Sequence, residues 1–242
     1  MPVRARDRSH VDERDDPRVV QHVEQVPDGP CAMADGPDPH PSSVEHCDAM
    51  RDVVVKELSP ALHDELMHFF DVIAFADNPH WAKCFCMFPL ATSSQEYEAR
   101  TKEQNRAGRS AVIRSGRGNG LVAFRLGRVV GWCHAAPKPE LPILGRPDGS
   151  DPSDLTTGAV MCFIVAPDAR RQGVATTLLD AACEYMRGRG MTAMEAYPPL
   201  QSPDDPELWP RRNERGPLSM FEKAGFREVS RNEWQITVRR EL

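Results

Sequence analysis

The stretch from Ala159 to Gly190, AVMCFIVAPDARRQGVATTLLDAACEYMRGRG, decides the fold. Ala159 to Val165 is an apolar run of strand length, and Val160, Phe163, Ile164 and Val165 suit a buried sheet. Pro167 and Asp168 punctuate it. A helical pattern opens directly after Arg170-Arg171-Gln172-Gly173. Val174, Leu178, Ala182 and Tyr185 recur on one face, with Leu179 and Met186 beside them. Gly188 and Gly190 close the helix, and Arg187 and Arg189 sit at its negative end. The first turn of such a helix leaves backbone N–H groups pointing at whatever lies before it. Small residues at Gly173 and Ala175 let an anion approach that backbone closely. Taken alone, the loop reads equally as a phosphate cradle or as an ordinary strand–helix connection with two solvated arginines.

A second segment lies downstream: Ser219-Met220-Phe221-Glu222-Lys223-Ala224-Gly225-Phe226. Strand, V-x-P and R-x-x-G-x-A opening a helix, followed by an aromatic and E-K-x-G-F, resembles the GNAT N-acyltransferase superfamily. The motif positions are Arg170, Gly173 and Ala175, and the resemblance runs from about Asp52 to the C-terminus. It implies acetyl-CoA as co-substrate and direct acetyl transfer to an amine of a small molecule or peptide. By that analogy the backbone of Gln172, Gly173, Val174, Ala175 and Thr176 holds the pyrophosphate, with Arg170 or Arg171 in support. Phe163, Ile164 and Val165 pair with the pantetheine arm, and the N–H near Val165 polarises the thioester. Many relatives carry a tyrosine acid before E-K-x-G-F. Here Phe221 stands there and has no proton to give, with Ser219 the nearby substitute, although a serine near a helix start is more often a cap.

Glu195 ranks first as general base, because it stands in an otherwise apolar strand where burial would raise a carboxylate's pKa. The plain alternative is an outward-facing edge glutamate. His134, read as the end of a strand, ranks second, against a structural histidine. Tyr197 orients substrate or packs. Asn78 to Phe88 is dense in aromatics and sulfur, and Trp81, Phe85 and Phe88 are read as one wall of the acceptor pocket. Asp77-Asn78-Pro79, Trp81 and the C-x-C also resemble a stretch of a group of uncharacterised GNAT proteins. His80, Cys84 and Cys86 form a weaker metal reading, since the spacing lacks the paired C-x-x-C of zinc sites, and no metal is expected. A sulfur-rich buried segment is the bland alternative. The rival function is an acyl-CoA-binding sensor or scaffold with little turnover, which Phe221 favours.

Composition sets the outer limits. Residues 1–50 hold seven of the 22 prolines, and 5 Arg against 11 Asp and Glu, a net of −6. They are expected to be a disordered acidic tail, and residues 51–242, balanced at 25 charges of each sign, one acetyltransferase domain. Met33 and Met50 are candidate start sites. No basic nucleic-acid footprint or polybasic membrane patch is present, and no apolar run reaches bilayer length. Seven cysteines, an odd count without an apolar export signal, favour reduced thiols and a cytoplasmic location. The resemblance adds homodimerisation as an expectation.

The remaining pattern predicts a strand at Val53–Val55 and a helix opened by Ser59-Pro60. A second helix runs from a Ser93–Glu96 capping box to about Arg106, and a loop follows over 108–120. A hairpin turns at Gly127-Arg128, and a long loop over 137–157 folds over the acceptor site. Strands at 192–197 and 233–239, the latter with Trp234, Ile236 and Val238 on one face, enclose a short helix. The class is α/β: a GNAT-like mixed, mainly antiparallel sheet flanked by helices, with one parallel crossover at the opening motif.

Overall fold

The structure, a computed structural model, describes residues 19–20, 53–145, 152–200 and 213–242. Eight strands form one sheet: β1 (Val19–Val20), β2 (Val54–Glu57), β3 (Leu121–Arg125), β4 (Arg128–Pro137), β5 (Thr157–Val165), β6 (Ala193–Ala196), β7 (Arg227–Arg231) and β8 (Ile236–Glu241). Their order is β1-β2-β3-β4-β5-β6-β8-β7. Every neighbouring pair is antiparallel except β5 and β6, which run parallel. That is the mixed sheet with a single crossover that the sequence predicts. Apart from β1, the expected tail of residues 1–50 lies outside the described residues.

The crossover helix α4 (Val174–Gly188) takes the face its apolar period assigns. Val174, Leu178, Leu179, Ala182, Tyr185 and Met186 are all buried. Gly131 of β4 allows the close approach, for a Cβ there would stand 2.9 Å from Val174 and 3.0 Å from Leu178. On the N-terminal side, Ser59 is extended and Pro60 opens a 3-10 turn that leads into α1 (His63–His68). The helix then widens into a π segment, Phe69–Ile73, where the Ala74 N–H reaches the Phe69 carbonyl at 2.8 Å. Phe69 and Phe70 are both buried there. Phe70 meets Phe85 and Trp132 edge-on, at 5.9 and 6.1 Å between ring centres.

Several boundaries differ from expectation. The single helix expected from Ser93 is two: α2 (Ser94–Ala99) and α3 (Lys102–Arg114). Arg100 is extended, and Thr101 starts a new helix with a complete capping box to Gln104. Ser93 does accept the Glu96 N–H at 3.1 Å, but the Glu96 carboxylate turns to the Thr92 N–H at 2.6 Å. Gly108 continues α3 instead of starting a loop, because the Met87 side chain occupies the space a Cβ would need. The β3–β4 turn falls one residue earlier than expected, at Leu126 and Gly127, both left-handed. Strand β7 is missing from the sequence reading. All five of its residues are exposed, so no apolar alternation marks it. Trp234 precedes β8 and is 65% exposed, while Ile236 and Val238 are buried.

Gly120 links α3 to β3 with φ +143°, and a Cβ there would lie 2.3 Å from the Trp132 ring and 2.5 Å from the Cys133 carbonyl. Gly127 also has positive φ but opens to free space. Gly120→Ala is expected to cost about 3 kcal/mol or more, roughly 6–12 °C in melting temperature. Gly127→Ala pays only the left-handed strain, about 1 kcal/mol. Thermal denaturation of the two variants checks the ranking.

Candidate active site

The parallel ladder between β5 and β6 begins at Thr157 opposite Ala193 and stops at Val160 opposite Ala196. Strand β5 continues to Val165, held on its other side by β4 through Val165 opposite Gly131. Among the described residues, the β5–β6 ladder therefore leaves the backbone of 161–165 without a strand on the β6 side. A bulge between His134 and Ala135 of β4 lies opposite Met161, where this bare stretch starts.

The bare edge runs straight into the loop before α4. Ala166 donates to the Val130 carbonyl at 2.9 Å, and Pro167–Ala169 form one 3-10 turn. Arg171 and Gly173 are both left-handed, at φ 59° and 81°. The first helical bond is from the Thr177 N–H to the Gly173 carbonyl at 3.0 Å. The N–H groups of Val174, Ala175 and Thr176 thus precede any intrahelical acceptor and face out along the helix axis. A fifteen-residue helix adds its positive end to them.

The two arginines of the loop divide the work. Arg170 is clasped to Asp77 through both guanidinium nitrogens, and its Nε donates to the Val165 carbonyl at 3.1 Å. The Arg170 hydrogen bond is the main reason the Asp77 carboxyl titrates below its ordinary value. Arg171 is exposed and makes no ion pair among the described residues. Gln172 fastens the loop internally, donating to the Asp168 carbonyl at 2.8 Å and accepting from Arg125.

The other predicted residues are spread over three places. Phe221, in α5 (Leu218–Lys223), is fully buried, with its ring 6.3 Å from that of Phe163 and 5.5 Å from Phe226. Ser219, on the same helix, is exposed. Glu195 is 7% exposed, yet it is not the isolated carboxylate an apolar strand suggests. Lys138 Nζ approaches one oxygen at 2.9 Å, Tyr197 donates to it at 3.0 Å, and Arg239 approaches the other at 3.3 Å. Tyr197 is buried and spends its hydroxyl on that carboxylate. Lys138 also pairs with Asp154 at 2.5 Å, so it ties the turn after β4 both to the turn before β5 and, through Glu195, to β6.

His134 is not at a strand end. It stands inside β4, 1% exposed, with Nδ1 3.5 Å from the Cys86 sulfur. Phe85 is no pocket wall either; it is fully buried in the core against Phe70. Phe88 meets Tyr97 edge-on at 5.2 Å and lies under Arg215. Trp81 is half-buried and does line a cavity of about 190 Å³, together with Phe75, Cys84, Cys162, Ile164 and Glu214. Glu214 belongs to a short 3-10 turn, Asn213–Arg215, within a segment whose sequence reads only as a polar connection. No periodic signal announces it.

Burial and the neighbouring Cys86 push the Cys84 thiol up to about 11. Burial would raise Cys86 as well, but the Cys162 thiol, His134 and Arg109 outweigh it and hold Cys86 well below the ordinary thiol value. Among the described residues no group of three His, Cys, Asp or Glu side chains is placed to hold a metal ion, and the His80 side chain lies outside the described ones. A second groove, about 660 Å³, separates α1 from α3. There His63 bridges Asp64 at 2.6 Å and Ser110 at 2.8 Å, but Ser110 lies inside a helix, where the backbone donors are already engaged.

A family model described as acetyltransferase (GNAT) family matches residues 80–203, just over half of the chain. The chain belongs to the GNAT acetyltransferase family. Membership makes acetyl-CoA its co-substrate. Among solved structures, the GNAT domain of S. lividans PAT is similar at 15% identity, covering 78% of this chain and 90% of that one, with a TM-score of 0.50. PaiA N-acetyltransferase from Thermoplasma acidophilum, in complex with coenzyme A, is 13% identical, covering 78% and 99%, with a TM-score of 0.46. Ribosomal-protein-alanine N-acetyltransferase from Brucella melitensis is 17% identical, covering 78% and 99%, with a TM-score of 0.45. At these identities the likeness is one of fold. No curated protein matches the chain. Among the described residues no helix is long and apolar enough to cross a membrane.

The Cys86 shift gives a pH signature. The unfolded thiol titrates higher than the folded one, so the unfolded chain holds more protons between the two values. The contribution to stability then grows as pH rises through that window and is lost as pH falls through the folded value. The thiolate absorbance of Cys86 is expected in the ultraviolet at a lower pH than that of an ordinary thiol, to be lost on further acidification and to be absent in Cys86→Ala. Differential absorbance titration of the two proteins checks this.

Proposed function

We propose that this chain transfers an acetyl group from acetyl-CoA to the amine of a small molecule or peptide. One observation carries the reading: the bare edge of β5 ends at the N-terminus of α4. Pantetheine is an extended chain with alternating amide donors and acceptors. The backbone of Phe163, Ile164 and Val165 can pair with it as a strand would. Continuing along the same line, the pyrophosphate meets the N–H groups of Gly173 to Thr176 at the positive helix end. Arg171 supplies the charge, while Arg170 and Gln172 hold the loop in shape.

The reacting carbonyl would then lie near Phe163 to Val165, where a backbone N–H can polarise it. Transfer forms a C–N bond and breaks the C–S bond, and the departing thiolate must gain a proton. Phe221 cannot supply that proton, so solvent delivers it. The same Phe221 favours a second reading, an acyl-CoA-binding module with little turnover. Coenzyme A release over a panel of amines separates the two.

Arg171→Ala is expected to raise KM for acetyl-CoA about tenfold with kcat nearly unchanged, the signature of a contact made equally in ground and transition states. Ala175→Asp is expected to weaken coenzyme A binding more than about a hundredfold, by placing a carboxylate beside the pyrophosphate. Because an acidic residue in the first turn suits the helix dipole, that variant should remain folded. Calorimetry with coenzyme A and a melting curve check both statements.

A further inference from the structure

The cavity beside the bare edge has a shape and a lining that restrict what can enter it. Cys162 and Ile164, two residues apart on one face of β5, form its inner wall. They flank Phe163, so the cavity touches the stretch along which the acyl donor lies. Phe75, two residues after the π turn, and Trp81, in the 3-10 turn Pro79–Lys83, bring two aromatic side chains to the lining. Cys84 completes the apolar lining, its thiol held protonated by burial. The volume, about 190 Å³, is slightly more than a pocket that accepts benzene.

Glu214 is the carboxylate of this lining. Its turn packs over β5, and Arg215 beside it is anchored twice, to Gln235 at 2.6 Å and over the Phe88 ring at 5.5 Å. The carboxylate is therefore held in place by its neighbour. In a cavity whose other described lining residues are aromatic, aliphatic or thiol-bearing, a carboxylate favours a cation, and an aromatic side chain such as Trp81 can add to that preference.

We propose that this cavity is the acceptor site, that its occupant is a compact primary amine with an apolar body of about six to ten heavy atoms, and that Glu214 takes the amine's proton. The inference rests on the acetyl-CoA reading above and narrows its acceptor. The ammonium enters facing Glu214, which accepts one proton and leaves a neutral amine. The nitrogen lone pair attacks the thioester carbonyl carbon, the C–N bond forms, and the C–S bond breaks with its electron pair on sulfur. The nitrogen then loses its second proton, and solvent returns one to the thiolate. Amide and free coenzyme A are the products, with one proton released from Glu214. A polyamine or a lysine side chain on a peptide brings further polar groups for which the described lining offers no second carboxylate, and burying them unpaired disfavours these acceptors.

The test is steady-state release of coenzyme A by the full chain with 2-phenylethylamine, 3-methylbutylamine, spermidine and a lysine-containing tripeptide. The two apolar amines are expected to exceed the other two in kcat/KM by about tenfold or more. Glu214→Gln is expected to lower kcat/KM for 2-phenylethylamine by about a hundredfold or more, and to remove the acidic limb of its pH profile, with KM for acetyl-CoA unchanged. Trp81→Ala is expected to raise KM for the amine about tenfold and leave that limb in place. Preference for spermidine or the peptide, or a Glu214→Gln variant within about twofold of the parent, overturns the proposal. Calorimetry with coenzyme A runs alongside. If coenzyme A binds and the apolar amines are not turned over, only this inference fails. If coenzyme A does not bind, the acetyl-CoA reading beneath it fails as well.

Discussion

A buried guanidinium organises the half of the molecule that holds the Trp81 cavity. Arg109, on α3, is fully buried and donates to the carbonyls of Phe85 (2.9 Å) and Cys86. Its plane lies over the Trp132 ring at 5.4 Å. Those two carbonyls belong to residues with positive φ, 43° and 52°, a conformation that neither side chain favours. The strain persists because the arginine fixes both peptide groups at once. With the C-x-C segment locked, Phe85 fills the core, Cys86 turns toward His134, and Cys84 and Trp81 face the cavity. A buried cation also calls for a nearby anion, and the lowered Cys86 thiol, adjacent to Arg109, is positioned to be one.

The other half depends on a strand that outruns its neighbour. Strand β6 stops pairing at Ala196, and Glu195 just before it is locked by Lys138, Tyr197 and Arg239. These contacts fix the end of β6 just where its pairing with β5 stops. Preorganisation of this kind spares a ligand the cost of prising the sheet apart. The same contacts place Glu195 in a charge network and not in the isolated apolar setting its strand suggests.

The stretch from Ala159 to Gly190 was legible because both of its elements are buried, and burial writes a period into sequence. The strand reads as a continuous apolar run, and the helix shows its face at Val174, Leu178, Ala182 and Tyr185. Where burial is absent, so is the period, and β7 has none to read. The break at Arg100 was hidden because Arg100 itself is neither glycine nor proline. It is Thr101, capping with Gln104, that outcompetes continuation of the helix. Phe85 and Glu214 illustrate the opposite limit. Both lie in irregular segments, where side-chain direction follows from tertiary contacts such as the Arg109 clamp and not from spacing. An aromatic-rich loop then suggests a pocket wall without telling which ring turns inward.

Strand β7 closes the sheet at one end, and among the described residues its outer backbone groups have no further strand beside them. An open edge of that kind is a template for another chain. Here it is written almost wholly in polar residues, with Arg227, Glu228, Ser230 and Arg231 all exposed and Glu228 bonded to Arg231 at 2.6 Å. Any second copy laid against it would have to strip water from those charges along its whole length. The end of the sheet is therefore covered by hydrated charge and not by apolar side chains.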